Sequence, residues 1–219
     1  MAQLHVIWDL DGTLINSEEE VLEALIKSVK DAGLTEKDQI VPFRVGPTID
    51  KILDATFSKE KLTDVIKNLI IKNFRLNYDN CGFNRTLAFD GIEAILRDER
   101  FVHHIVTNKP DLATDRILEK LNWKDLFADV ITPYTFIKSS DDPKKTKTEL
   151  FAWLKEKYTD EKFAGVGDME TDAVAAKNND MIAVGVLWGT GTECELKSAG
   201  CMPICISVEQ LKNELEGML

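Results

Sequence analysis

The stretch LHVIWDLDGTL, residues 4–14, carries an apolar run into two aspartates one residue apart, Asp9 and Asp11, followed at once by Gly12 and Thr13. An apolar run without polar alternation is the pattern of a parallel strand buried on both faces. A turn gains from one acid that caps it, but little from two like charges held close together. An acid pair at the end of such a strand, beside a glycine that lets backbone amides come close, is a candidate for chemistry.

Working outward, similar runs occur at residues 101–107 (FVHHIVT), 128–132 (ADVIT), 163–167 (FAGVG), 182–187 (IAVGVL) and 203–207 (PICIS). Amphipathic stretches such as DLATDRILEKL and TELFAWLKEKY lie between them. Strand then helix, repeated, predicts an α/β fold with a Rossmann-like, doubly wound parallel sheet. Residues 17–85 break that rhythm, with only helical patterns such as EEEVLEALIKSVKDAG and KEKLTDVIKNLIIKNFRLNY. That is too much helix for one crossover. The expected organisation is a discontinuous core, residues 1–16 and 86–219, with an all-helical insert at 17–85.

The 219 residues are 44% hydrophobic and 30% charged, ordinary for a globular protein with one good core or a core and an insert. A net charge of −11 argues against nucleic acid or an anionic membrane as partner. It also requires that any phosphate ligand be drawn in by local cations. No stretch has the apolar length of a membrane span, and no signal-like segment opens the chain. Cys194, Cys201 and Cys205 fit no familiar zinc spacing, and together with Cys81 they read as reduced thiols of a cytoplasmic protein.

In open α/β sheets, ligands bind at the carboxyl ends of the strands. Those ends present Asp9 and Asp11, then Thr107 and Asn108, then Asp168 and Asp172, with a lysine-rich loop, DDPKKTK, before the next helix. Carboxylate oxygens with little histidine favour Mg2+, which also bridges phosphates. The set suits phosphoryl transfer, with Asp9 as nucleophile and Asp11 as acid, then base. Two like charges at about 4 Å repel by about 4 kcal/mol at an effective dielectric near 20. Each 1.36 kcal/mol is about tenfold in rate, so a cation and a lysine are needed to remove that barrier.

DLDGTL at 9–14, VTN at 106–108, a downstream lysine and GDMETD at 167–172 resemble the four motifs of the haloacid dehalogenase superfamily. The helical insert resembles the cap of its phosphoglycolate-phosphatase-like members. The resemblance implies an Mg2+-dependent phosphatase of a small phosphorylated metabolite, such as phosphoglycolate, a nucleotide or a sugar phosphate. Asp9 would be nucleophile and metal ligand, and Asp11 acid/base and a ligand through its backbone carbonyl. Asp168 and Asp172 would complete the metal site. Thr107 and Asn108 would hold the phosphoryl group, with Gly12 at the turn beneath it.

For the lysine, KKTKTEL matches a K-P-x-P-x-x-L pattern without its prolines. Register against Leu150 favours Lys144, with Lys145 and Lys147 as alternatives. In the insert, FRVGPTI makes Arg44 a candidate substrate contact, set against an exposed arginine before a Gly-Pro turn. GTGTEC at 189–194 follows a strand like a dinucleotide loop, but weakly. His5, His103 and His104 read as structural. A phosphomutase resembling β-phosphoglucomutase and a non-catalytic binding protein on the same scaffold are the alternative functions.

Overall fold

In a computed structural model of the chain, residues 3–139 and 143–219 are described. Asp141 and Asp142 of the lysine-rich loop lie outside them. In chain order the elements are β1 (Leu4–Trp8), β2 (Ile15–Asn16), α1 (Glu18–Asp31), α2 (Ile49–Thr56), α3 (Asp64–Tyr78), β3 (Leu87–Ala88), α4 (Ile92–Leu96), β4 (Phe101–Val106) and α5 (Asp111–Lys120). They continue with β5 (Asp129–Ile131), α6 (Lys147–Lys157), β6 (Lys162–Gly167), α7 (Glu170–Asn178), β7 (Ile182–Val186), α8 (Glu193–Ser198), β8 (Ile204–Cys205) and α9 (Val208–Glu216). Two units emerge, residues 1–16 with 88–219, and residues 17–87.

The first unit is built on one parallel sheet in the order β5-β4-β1-β6-β7-β8. All five residues of β1 are buried, because β1 sits in the middle with β4 and β6 on its two sides. The apolar run of residues 4–8 is therefore what a central parallel strand demands. The register is continuous: Trp8 lies opposite Ile105 on β4 and Val166 on β6. From β1 the sheet grows outward through β4 and β5, then returns to the other side of β1 through β6. That reversal opens a crevice at the carboxyl ends of β1, β4 and β6.

Under this rim, Ile7, Val106, Ile131, Leu150, Phe151, Leu154 and Phe163 join residues of α7 and β7 in one buried cluster. The helices start where side chains can satisfy their first amides. Thr146 accepts from Glu149 N–H, and Glu149 accepts in return from Thr146 N–H, a capping box that fixes the start of α6.

The second unit is helical, with α1 packed against α3. Phe74 and Tyr78 stack, Phe83 meets Tyr78 edge-on, and Asn77 donates to Ser28 Oγ at 2.9 Å. Glu20, buried on α1, accepts from Arg85 N–H (3.1 Å) and from Thr86 Oγ1 (2.5 Å). Arg85 also pairs with Glu19 and Glu23, so the end of the unit is tied to the helix that begins it. Among the described residues no helix is long and apolar enough to cross a membrane.

Candidate active site

Asp9 follows β1 directly, and its N–H donates to Val166 O at 2.9 Å, extending the β1–β6 ladder by one residue. Its carboxylate is thereby aimed out of the sheet end. The chain then turns at Gly12, whose φ of +78° is left-handed. A Cβ at Gly12 would meet Asp168 Oδ2 at 2.5 Å, so both conformation and space require glycine there. Thr13 is fully buried and its hydroxyl donates to Asp168 Oδ1 at 3.3 Å.

Asp168 follows β6, and Asp172 lies in the first turn of α7, where Met169 N–H donates to its Oδ2 at 3.2 Å. Asp9, Asp168 and Asp172 are all buried, and one ligand atom from each lies within 4.8 Å of the others. Lys147 joins them. Its Nζ is 2.7 Å from Asp9 Oδ1 and 2.5 Å from Asp172 Oδ1. Lys109 Nζ lies 2.9 Å from Asp11 Oδ1. Thr107, buried at the end of β4, donates its N–H to Ile131 O and accepts Lys109 N–H on Oγ1 at 3.1 Å. Asn108 is half-buried beside it.

Burial and charge together set the titration of the group. Burial pushes the Asp9 carboxyl up to about 7, with Asp172 and Asp11 adding to the rise and Lys147 opposing it. Burial likewise raises Asp168, helped by Asp9 and opposed by the bonds from Thr190. Asp172 is raised by burial against the pull of Lys147. For Lys147 the largest single cause, burial, favours the neutral amine, but Asp172 and Asp9 together outweigh it and hold the ammonium above its usual range.

Four carboxylates, Asp9, Asp11, Asp168 and Asp172, thus face two ammonium groups, Lys109 and Lys147. With all four ionised, the shortfall is two positive charges. Side-chain donors that are all carboxylate oxygens, with that shortfall, fit one hard divalent cation.

One register is corrected. Lys144, favoured by the sequence pattern, is exposed with its Nζ over the Tyr134 ring at 4.6 Å, and Lys145 lies over Phe136 at 5.9 Å. The lysine brought to the carboxylates is Lys147. It is the first residue of α6, directly after the capping threonine, so the helix start rather than the loop sets its position. The T-x-x-E pattern of residues 146–149 was the signal. Arg44 is exposed in the helical unit, between Phe43, whose ring approaches Phe57, and buried Val45.

Two further contributors have no part in the site as the sequence is read. Lys109 is one. The other is the loop after β7, the GTGT stretch, which resembles a dinucleotide turn instead. Thr190 donates its N–H (2.8 Å) and its hydroxyl (3.2 Å) to Asp168 Oδ2. A Cβ at Gly191 would overlap the Asp168 carbonyl oxygen. Trp188 Nε1 donates to Thr13 O at 3.0 Å. The loop supports a carboxylate and does not form a dinucleotide cradle, while Thr192 caps α8.

Residues 6–186 match the profile of the haloacid dehalogenase-like hydrolases. A phosphoglycolate phosphatase from Xanthomonas campestris pv. campestris (strain 8004) is 28% identical over 191 residues, covering 84% of this chain and 83% of that protein. One from Vibrio cholerae is 26% identical over 195 residues, covering 84% of each. Among solved structures, a "predicted phosphatase" from Clostridium acetobutylicum superposes with a TM-score of 0.79 at 25% identity, over 99% of this chain and 100% of that one. A haloacid dehalogenase-like hydrolase from Streptococcus pneumoniae gives 0.79 at 19% identity, over 96% and 97%, a likeness of fold.

Proposed function

The chain belongs to the haloacid dehalogenase-like hydrolases and is a phosphoric monoester hydrolase, and we propose that it hydrolyses a small phosphorylated metabolite through a phosphoryl group carried on Asp9. Phosphoglycolate, the substrate named for its relatives, heads the candidates, with nucleoside monophosphates and sugar phosphates beside it. The observation that carries this reading is the placement of Lys147 Nζ between Asp9 and Asp172, with Asp168 in the same buried cluster.

In the first step an Asp9 oxygen attacks phosphorus and the bond to the leaving alcohol breaks. Asp11 gives its proton to the departing oxygen, which would otherwise leave as a poor alkoxide. Thr107 and Asn108 hold phosphoryl oxygens, and Lys147 offsets part of the negative charge that gathers there. In the second step Asp11, now a carboxylate, takes a proton from water, which attacks the same phosphorus. The Asp9–phosphorus bond breaks, and inorganic phosphate and the Asp9 carboxylate are restored.

Asp9, Asp168 and Asp172 are the residues that would hold Mg2+, with the Asp11 backbone carbonyl as a further ligand. When bound, the ion supplies the positive charge that lets a phosphate dianion approach an ionised carboxylate. Inorganic phosphate release across phosphoglycolate, nucleotides and hexose phosphates, with Mg2+ or EDTA, tests the proposal. Wild type should turn over only with metal, and Asp9→Asn should lose at least about 10³-fold in kcat, as removal of a nucleophile does. Activity that survives either change overturns the mechanism. Isomerised product without net phosphate release would instead mark a phosphomutase.

A further inference from the structure

Among the described residues two lysines are buried, Lys147 and Lys109, and the reaction above uses only the first. Lys109 lies between Asn108 and Pro110, where the chain leaves β4 for α5. Its backbone is held at the turn, since its N–H donates to Thr107 Oγ1 at 3.1 Å. Its side chain, 4% exposed, reaches across to Asp11, 19% exposed, with Nζ 2.9 Å from Oδ1. Taking an ammonium out of water costs several kcal/mol unless it is paired, so a lysine that merely filled space would be a poor choice there. The contact spans two strand ends that are about a hundred residues apart in sequence, and it falls on the residue assigned the proton transfers.

We infer that Lys109 is a positioning residue for Asp11. The turn at Gly12 fixes the Asp11 backbone but leaves the side-chain rotamers open. A donor anchored on the neighbouring strand end and bonded to Oδ1 selects one of them, and so sets the direction of the other carboxyl oxygen. That oxygen must reach the leaving oxygen in the first step and the attacking water in the second. The Lys109 bond serves both steps, because Oδ1 accepts an ammonium N–H whether or not the other oxygen carries a proton. Proton transfer needs heavy atoms at about 2.6–3.2 Å, so a wandering carboxyl loses rate without losing substrate affinity.

The inference rests on the reading of Asp11 as acid and base, and the test separates the two. Full-length Lys109→Met, Lys109→Arg and Asp11→Asn are compared with wild type on an alkyl phosphate and on p-nitrophenyl phosphate. The alkyl alcohol needs a proton to leave, and the nitrophenolate does not. Single-turnover release of the leaving group isolates the first step. In Lys109→Met, alkyl cleavage should slow about 10- to 100-fold, part of the general-acid contribution. KM should hold, nitrophenolate release should change little, and Lys109→Arg should fall between wild type and Met. Equal slowing of both esters, or a raised KM with an unchanged alkyl-to-aryl ratio, overturns the role. If Lys109→Met does not fold by circular dichroism, an unchanged ratio in the arginine variant overturns it instead. Should Asp11→Asn itself leave the ratio unmoved, the acid assignment fails and this inference with it. If Asp11→Asn shifts the ratio and Lys109→Met does not, only the role of Lys109 falls.

Discussion

Two buried polar clusters share the same strands of the sheet. At the carboxyl ends, β1 gives Asp9, β4 gives Thr107 and β6 gives Asp168. Further back, β1 gives His5 and β4 gives His104, whose His104 Nε2 and His5 Nδ1 are 2.9 Å apart. His104 Nδ1 lies 3.1 Å from Asp129 Oδ2, which also accepts from Tyr158 OH at 2.8 Å. Lys157 Nζ is 2.5 Å from Asp129 Oδ1. With Nδ1–H of His104 donated to Asp129, Nε2 accepts from His5. Around Asp129 the hydrogen bonds close and its carboxylate faces the Lys157 ammonium, while Glu161 adds its own charge at His5. The strand-end cluster closes its hydrogen bonds but not its charge. Burial alone does not mark a site, since His5 and His104 are as buried as Asp9 and Asp172; a charge deficit left in place among satisfied groups does.

The largest effect should come from removing a cation from the unbalanced cluster. Lys147→Met is expected to lower kcat by about 10²- to 10³-fold, the usual loss for one electrostatic contact to the reacting group. His104→Gln, equally deep, should leave kcat essentially unchanged and lower the melting temperature instead. Steady-state kinetics beside thermal melts decide it. A His104 variant as inactive as the Lys147 variant would erase the distinction between the clusters.

A smaller effect should follow from the loop that supports Asp168. Thr190→Val keeps the backbone donor but removes the hydroxyl bond to Asp168 Oδ2. Partners behind a metal ligand typically contribute about 10- to 100-fold in metal affinity. The readout is the rise in melting temperature as Mg2+ is titrated, since an ion that binds only the folded chain stabilises it. The midpoint of that rise should move to at least about tenfold higher Mg2+ in the variant. An unmoved midpoint would mean the loop packs near Asp168 without orienting it.

How much of this was legible in sequence follows the range of the contacts. The run at residues 4–8 announced a central strand because burial on both faces leaves no polar alternation to hide it. Once the strands are read, Asp9, Thr107 and Asp168 follow as strand-end residues, and Asp172 in the first turn of α7. The observed break falls at Asn16/Ser17 and Leu87/Ala88, two residues later at its far end than the helical pattern suggested. Lys147 stood only as an alternative to Lys144, because a loop register was preferred to a helix cap. Lys109 and Thr190 leave no local mark: each acts across a strand gap, and only the pairing of β1 with β4, and of β6 with β7, brings it to its carboxylate. The histidine network is likewise spread over positions 5, 104, 129 and 158.

A third effect is a pH dependence of stability, and its sign separates the clusters again. Burial, with the nearby His5, holds the folded His104 pKa down to about 4, and burial lowers His5 as well. The unfolded chain takes a proton on His104 as pH falls through about 6.5, while the folded chain refuses it until about 4. Stability from His104 is therefore present at neutral pH and is lost as pH falls through that window. Asp9, raised to about 7, works in the opposite direction in metal-free protein, since its folded form binds a proton more readily than the unfolded one. Comparing wild type with His104→Gln cancels the carboxylate contribution. Between pH 7 and pH 5, wild type should lose about 2 kcal/mol more unfolding free energy than the variant. Urea unfolding followed by circular dichroism at the two pH values measures this. Equal losses in the two proteins would mean that the buried imidazole takes its proton in the folded state as readily as in the unfolded chain, and the closed cluster would then be no more closed than the open one.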